Sequence, residues 1–351
     1  MNAKALPRIL LLVLAAASLV AGVVGGLVRL GAPLPAPNAA SLHALLMIGG
    51  FLGTVISLER AVALGSPLAF AAPVASGSGA LLILGGFRAP GHALLFAAPL
   101  LLAGASVAIA RRQAQLHTVL LVVAALAWAV GNGLYLAGAP LDAAAAWWFD
   151  FLVLTIAAER LELTRLVRRP AQARPFFVFA VAFLLAASVA LAADIPGASI
   201  AHGASLCVLA AWLATFDIAR NTIRAEGFAR YAAAALLVGY AWLAVAGFAW
   251  AMASVRPGWR DAAMHAFGLG FVFSMIFAHG PVIVPAVARV RVNFTNAFYV
   301  PLALLHASLL LRLAFGGDAV ARLWGGVLNA AAIALFVATM LASMRRTTRP
   351  R

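Results

Sequence analysis

The sequence predicts an all-α protein, a polytopic membrane helical bundle of about twelve transmembrane helices in a single transmembrane domain over residues 1–351, with both termini cytoplasmic. Three observations predict it. Of 351 residues, 65% are hydrophobic and 10% charged, with a mean hydropathy of +1.03; a water-soluble domain carrying that much apolar surface would aggregate. Clusters of Pro, Gly and Arg divide the chain into twelve apolar runs of about 20 residues, the length that crosses the hydrocarbon layer. The Lys and Arg residues fall on alternate connections, as retention on the cytoplasmic side requires.

Taken in order, the first span is placed at 9–30, between Arg8 and the breaker "GAPLPAP". The second, 39–58, follows Pro37 and stops at Glu59-Arg60; the third, 68–86, lies between Pro67 and the Gly85-Gly86 pair. Spans at 92–110, 116–137 and 144–164 are separated by Arg111-Arg112 and by Gly138 and Pro140. After an arginine-rich connection come 176–193 and 198–219, divided by "DIPG", and then 231–252. The last three, 261–286, 297–315 and 320–343, are bounded by Pro257-Gly258, Arg289 with Arg291, and Gly316-Gly317.

With the N-terminus inside, the inner segments hold 19 of the 25 Lys and Arg residues: Lys4, Arg8, Arg60, Arg111, Arg112, Arg160, Arg165, Arg168, Arg169, Arg174, Arg220, Arg224, Arg230, Arg289, Arg291, Arg345, Arg346, Arg349 and Arg351. Only Arg29, Arg88, Arg256, Arg260, Arg312 and Arg322 remain for the outer ends, and shifting the count by one span would scramble the partition. The net charge of +15 therefore sits in short connections facing anionic headgroups. It forms no basic domain for nucleic acid, and the expected partner is membrane lipid. "MNAKALPRILLLVLAAASLVAG" imitates a secretory signal but reads as an uncleaved first span, and the location expected is the inner membrane. Cys207, the single cysteine, falls within the eighth span and excludes an intrachain disulfide, a Cys-rich metal centre and a C-x-x-C-H haem attachment.

"FLGTVISLER", Phe51 to Arg60, echoes "FLVLTIAAER", Phe151 to Arg160. Either snorkelling Glu and Arg finish both spans, or Glu59 and Glu159 are proton-handling carboxylates left by a duplication. The histidines carry more. His43, His92, His202 and His265 fall in the first turns of spans entering from the outer side. Small residues and aromatics follow two of them, in "SLHALLMIGGFLG" and "MHAFGLGFVF", and small residues leave room for a flat apolar group between helices. His279, 14 residues after His265, lies about 21 Å deeper, so the two cannot share one metal ion. His306 lies mid-span, and with His279 forms an extra polar site. His92, His117 and His202 read as interfacial or carbonyl-bonded. Two imidazoles at one depth on different helices suit a b-type haem, whose iron accepts neutral imidazole on both faces. Arg29, Arg256, Arg260, Arg312 and Arg322 are the cations expected for its propionates. Met47 and Met264 are alternative soft ligands.

The stretches "GGLVRLGAP", "SLHALLMIGGFLG" and "MHAFGLGFVFSMIFA" resemble helices one, two and ten of the haem-copper oxidase core subunit, a twelve-span family with both ends inside. The resemblance implies a low-spin haem between His43 and His265, with Arg29 beside it. The copper-ligating histidines of helices six and seven are absent from "AAAAWWFDFLVLTIAAER" and "FFVFAVAFLLAASVALAA", and the residues two positions either side of His265 are Ala263 and Phe267 rather than a second histidine. Oxidase or nitric oxide reductase catalysis is therefore not expected, and nothing in the sequence assigns a copper site. A closer likeness is to the NnrS family, twelve-span proteins associated with haem, copper and the nitric oxide response. It implies electron transfer, sensing or protection in nitrogen-oxide metabolism, with a redox partner at the outer face. The competing reading is a secondary transporter of a small solute with no cofactor, in which Gly280, Pro281 and Pro285 break the tenth span and "VGNGLYLAG" loosens the fifth; acidic residues, mostly at span ends, count against it.

Overall fold

The computed structural model describes residues 6–164, 170–288 and 290–345. Of the basic residues expected inside, Lys4, Arg165, Arg168, Arg169, Arg289, Arg346, Arg349 and Arg351 lie outside the described residues. Among those described, twelve helices are long and apolar enough to cross a membrane. They are α1 (Leu6–Arg29), α2 (Pro37–Leu64), α3 (Pro67–Leu84), α4 (Arg88–Arg112), α5 (Leu116–Leu136), α6 (Leu141–Leu163), α7 (Ala173–Ala192), α8 (Ala198–Phe216), α9 (Gly227–Ala253), α10 (Trp259–Ala288), α11 (Asn296–Ala314) and α12 (Ala319–Ser343). Each expected span meets one helix. The largest difference is at α2, which continues past 58 because Glu59 and Arg60 remain helical, Arg60 Nη2 donating to Glu59 Oε1 at 2.9 Å. It ends where Gly65 takes φ 70°, a left-handed stop that costs glycine nothing. Strand among the described residues is confined to Arg291–Val292 and Met344–Arg345, paired antiparallel.

The chain forms two compact units, one of Met1–Phe151 with Ile283–Arg289 and one of Leu152–Val282 with Val290–Arg351. In the first, glycines let helix backbones meet. A side chain at Gly25 of α1 would strike the Ala39 carbonyl of α2, and a Cβ at Gly50 would lie 2.7 Å from both Ser18 Oγ and Ala80 Cβ. Lipid supplies no hydrophobic drive between helices, so close van der Waals contact of this kind holds them together.

A buried polar chain ties α4, α5 and α6. Pro99 sits inside α4 and has no N–H to give the Leu95 carbonyl four residues earlier. Asn132 replaces it, Nδ2 donating to Leu95 O at 2.7 Å, and Asn132 Oδ1 accepts Trp148 Nε1–H at 2.8 Å. The "VGNG" segment thus locks α5, which is helical without a break, and corrects the expectation of a loosened span. Asn132→Leu should strand the Leu95 carbonyl and the Trp148 N–H, and lower stability by about 2–4 kcal/mol. Thermal unfolding in detergent reads this; an unchanged midpoint would show the network to be idle.

In the second unit, Gly203 of α8 and Gly247 of α9 face each other with no space for a Cβ on either, and Trp212 Nε1 donates to Ala173 O at 2.8 Å, joining α8 to α7. Asn329 of α12 donates to Leu305 O at 3.2 Å and to Ser308 Oγ at 2.5 Å on α11. The expected break at Gly280, Pro281 and Pro285 does not occur, for Phe273–Ala288 is one α-helical run. The irregularity of α10 lies earlier, directly after His265.

Candidate functional site

In the first unit, His43 stands in the second turn of α2 and its ring lies on the glycine face of α1. Its Nδ1 is 2.6 Å from the Gly22 carbonyl. A carbonyl only accepts, so Nδ1 carries the proton and the lone pair is on Nε2. Gly26, four residues on along the same face, leaves room for the ring: a Cβ there would be 3.0 Å from His43 Cε1. Met47 packs on Gly22, where a Cβ would come within 2.6 Å of its Sδ. Immediately afterwards α2 turns into a π-helix over Leu46–Gly53, and Ser76 Oγ of α3 donates to the Gly49 carbonyl at 2.6 Å.

The second unit builds His265 in the same manner. Its Nδ1 donates to the Asp261 carbonyl at 2.8 Å, again leaving the lone pair on Nε2, and a π-helix follows over Ala266–Val272. A serine hydroxyl again serves a glycine carbonyl within the π-segment, Ser274 Oγ donating to Gly270 O at 2.5 Å. Gly270 lies against the Trp242 indole, with room for no Cβ. π-Segments in α-helices are rare and concentrate at functional positions; here one follows each of the two histidines selected from sequence.

Around His265 the polar contacts extend outward. The Asp261 carboxylate lies 3.2 Å from Nδ1 through Oδ1 and is clamped by Arg312, with Nη2–Oδ1 at 2.9 Å and Nε–Oδ2 at 3.1 Å. Arg312, expected to face a propionate, thus pairs with a carboxylate. Among the other cations, Arg29 and Arg256 are exposed, Arg260 is half-buried, and Arg322 Nε is buried with no hydrogen-bond partner among the described residues.

A family described as "Domain of unknown function (DUF8744)" matches residues 8–345. The chain belongs to the DUF8744 family. No curated protein and no solved structure matches it.

Elsewhere in this DUF8744 chain, His279 and His306 have different partners. His279 Nδ1 donates to Met275 O at 2.8 Å, and Nε2 stands 3.4 Å from Arg160 Nη1. Arg160 in turn grips Asp217 with two hydrogen bonds, at 2.7 and 3.0 Å, Tyr240 lies beside the pair, and Asp217 Oδ1 accepts the Ala219 N–H at 2.7 Å. His306 instead accepts the Trp242 indole N–H on Nδ1 at 3.0 Å, which puts its own proton on Nε2. His202 is buried with its ring 4.8 Å from that of Trp250.

Three acidic residues escaped the sequence reading. Asp217 and Asp261 read as span ends, and their partners, Arg160 of α6 and Arg312 of α11, lie on other helices. Asp150 lies mid-way along α6 and is fully buried; the signal was present in "WWFDF", a carboxylate nine residues inside an apolar run. In the two Glu-Arg pairs of the sequence echo, Glu59 pairs with Arg60 on its own helix, and Arg160 reaches across to Asp217. Among the described residues no three of His, Cys, Asp and Glu gather to hold a metal ion. Two-histidine ligation of a haem requires no such group.

Proposed function

We propose that the protein is a haem-binding inner-membrane protein in which His43 and His265 ligate one b-type haem, with cytoplasmic termini and a redox partner at the outer face. It acts in electron transfer, sensing or protection linked to nitrogen-oxide metabolism. The observation that carries this reading is the repeated local build: each histidine gives Nδ1–H to a backbone carbonyl, and a π-helix begins within three residues of each. A metal-ligating imidazole characteristically has its second nitrogen engaged in this manner, which fixes the tautomer and presents Nε2. Gly26 lets the His43 ring lie close to α1, and Gly268, three residues after His265, has open space beside it. Arg29, Arg256, Arg260 and Arg322 are the cations for the propionates, while Arg312 is committed to Asp261. Bound haem would supply a reversible one-electron couple, with a diatomic gas admitted only if one imidazole left the iron; the chain's own part is to orient the two imidazoles. Protein purified from haem-replete cells should be red, with a Soret band and a sharp reduced α-band. A colourless preparation overturns the proposal.

A second reading, a secondary transporter of a small solute, is favoured by Asp150. A fully buried carboxylate in mid-span marks a functional position by default. Solute uptake by vesicles containing the colourless protein, lost in Asp150→Asn, would establish it.

A further inference from the structure

Resting on the haem reading, we infer that Asp261 is a positioning residue for His265, held by Arg312, and that it sets the midpoint potential of the haem iron below that of a ligand pair bonded to carbonyls alone. Both imidazoles engage a backbone carbonyl through Nδ1. His43 Nδ1–H meets a neutral carbonyl of α1 at 2.6 Å. His265 Nδ1–H lies between the Asp261 carbonyl at 2.8 Å and the Asp261 carboxylate at 3.2 Å. A carboxylate on the far nitrogen pulls the proton and raises the basicity of the ligating one, and a more basic axial ligand favours the ferric state.

The carboxylate is fixed where this works. Asp261 and His265 are one turn apart on α10, so their side chains share a face. Asp261 is 42% exposed, and an untethered carboxylate there would turn to water; Arg312, only 6% exposed, holds both of its oxygens. Arg312 itself is seated by Gly325 of α12, where a Cβ would lie 2.8 Å from Arg312 Cβ and 3.0 Å from its Cα. A planar guanidinium grips a carboxylate at two points, which an ammonium cannot do. The chain Gly325, Arg312, Asp261, His265 thus runs from helix packing to one imidazole nitrogen.

The test is redox titration of the purified haem protein and its Asp261→Asn form. Asparagine keeps the volume and an accepting oxygen but removes the charge. The expected result is retained pigment with the ferric–ferrous balance moved about tenfold toward ferrous, a rise of about 59 mV for one electron, and Asp261→Glu within threefold of wild type. An unchanged or lowered potential in Asp261→Asn overturns the inference while leaving the haem reading intact. A colourless wild-type protein overturns the haem reading first. Should Asp261→Asn alone be colourless, pigmented Asp261→Glu at the wild-type potential supports the charge-dependent role; loss of pigment in both variants overturns it, because Asp261 then serves the fold.

Discussion

Asp217→Ala is expected to destabilise the protein by about 3–5 kcal/mol, because it leaves the Arg160 guanidinium buried without its counter-charge. At 1.4 kcal/mol per factor of ten, that is a fall of roughly a hundred-fold or more in the ratio of folded to unfolded protein. The size of the effect comes from burial. Arg160 and Asp217 side chains are 6% and 0% exposed, so water cannot replace the lost carboxylate, and His279 Nε2, 3.4 Å from Arg160 Nη1, is too distant to compensate. The pair itself is not a large net source of stability, since desolvating two ions offsets most of their attraction. The double replacement Arg160→Met with Asp217→Leu should therefore recover most of the loss. Thermal unfolding in detergent distinguishes the cases: a single-variant loss below about 1 kcal/mol would show that the pair is solvated in the protein as made.

The helices were legible in the sequence for a physical reason, and the pairings between them were not for another. Lipid demands continuous apolar runs with every backbone group satisfied inside the helix, so each of the twelve spans announces itself by length and breakers alone. Departures inside a span obey tertiary contacts. Pro281 and Pro285 read as breakers, yet α10 passes through them; the π-segment at Ala266–Val272, which carries no proline, is where the helix deviates. The glycines there were read as space for a ligand, and they are also where Trp242 and Ser274 press on the backbone. "VGNGLYLAG" read as a loosened stretch, and the partners of its Asn132, a carbonyl freed by Pro99 and an indole on another helix, are invisible without the fold. For the candidate site, sequence chose His43 and His265 from seven histidines by the small residues that follow them. It assigned Arg312 to a propionate because outer cations are few, but charge counting cannot distinguish a cation reserved for a ligand from one engaged by a carboxylate 51 positions away.

On the haem reading, His43→Ala and His265→Ala should each abolish the low-spin haem spectrum, whichever redox state is examined, because each would remove one of the two axial nitrogens. Met47 is the nearest soft donor on α2, and its sulfur is occupied against Gly22. The surroundings of His43 supply a control that alanine cannot. At Gly26 any side chain would begin 3.0 Å from His43 Cε1 and 3.2 Å from Nδ1, tighter than most such contacts, and the two methyl groups of valine add to the crowding, so Gly26→Val should displace the ring while keeping its chemistry. If His43 is a ligand, Gly26→Val loses the low-spin band as His43→Ala does, although every histidine is still present. His92→Gln, at a ring 6.1 Å from that of Tyr135, should leave the spectrum unchanged. The assignment fails if His279→Ala or His306→Ala bleaches the protein while the His43 and His265 variants stay red, for the iron would then be held by the imidazoles bonded to Arg160 and Trp242.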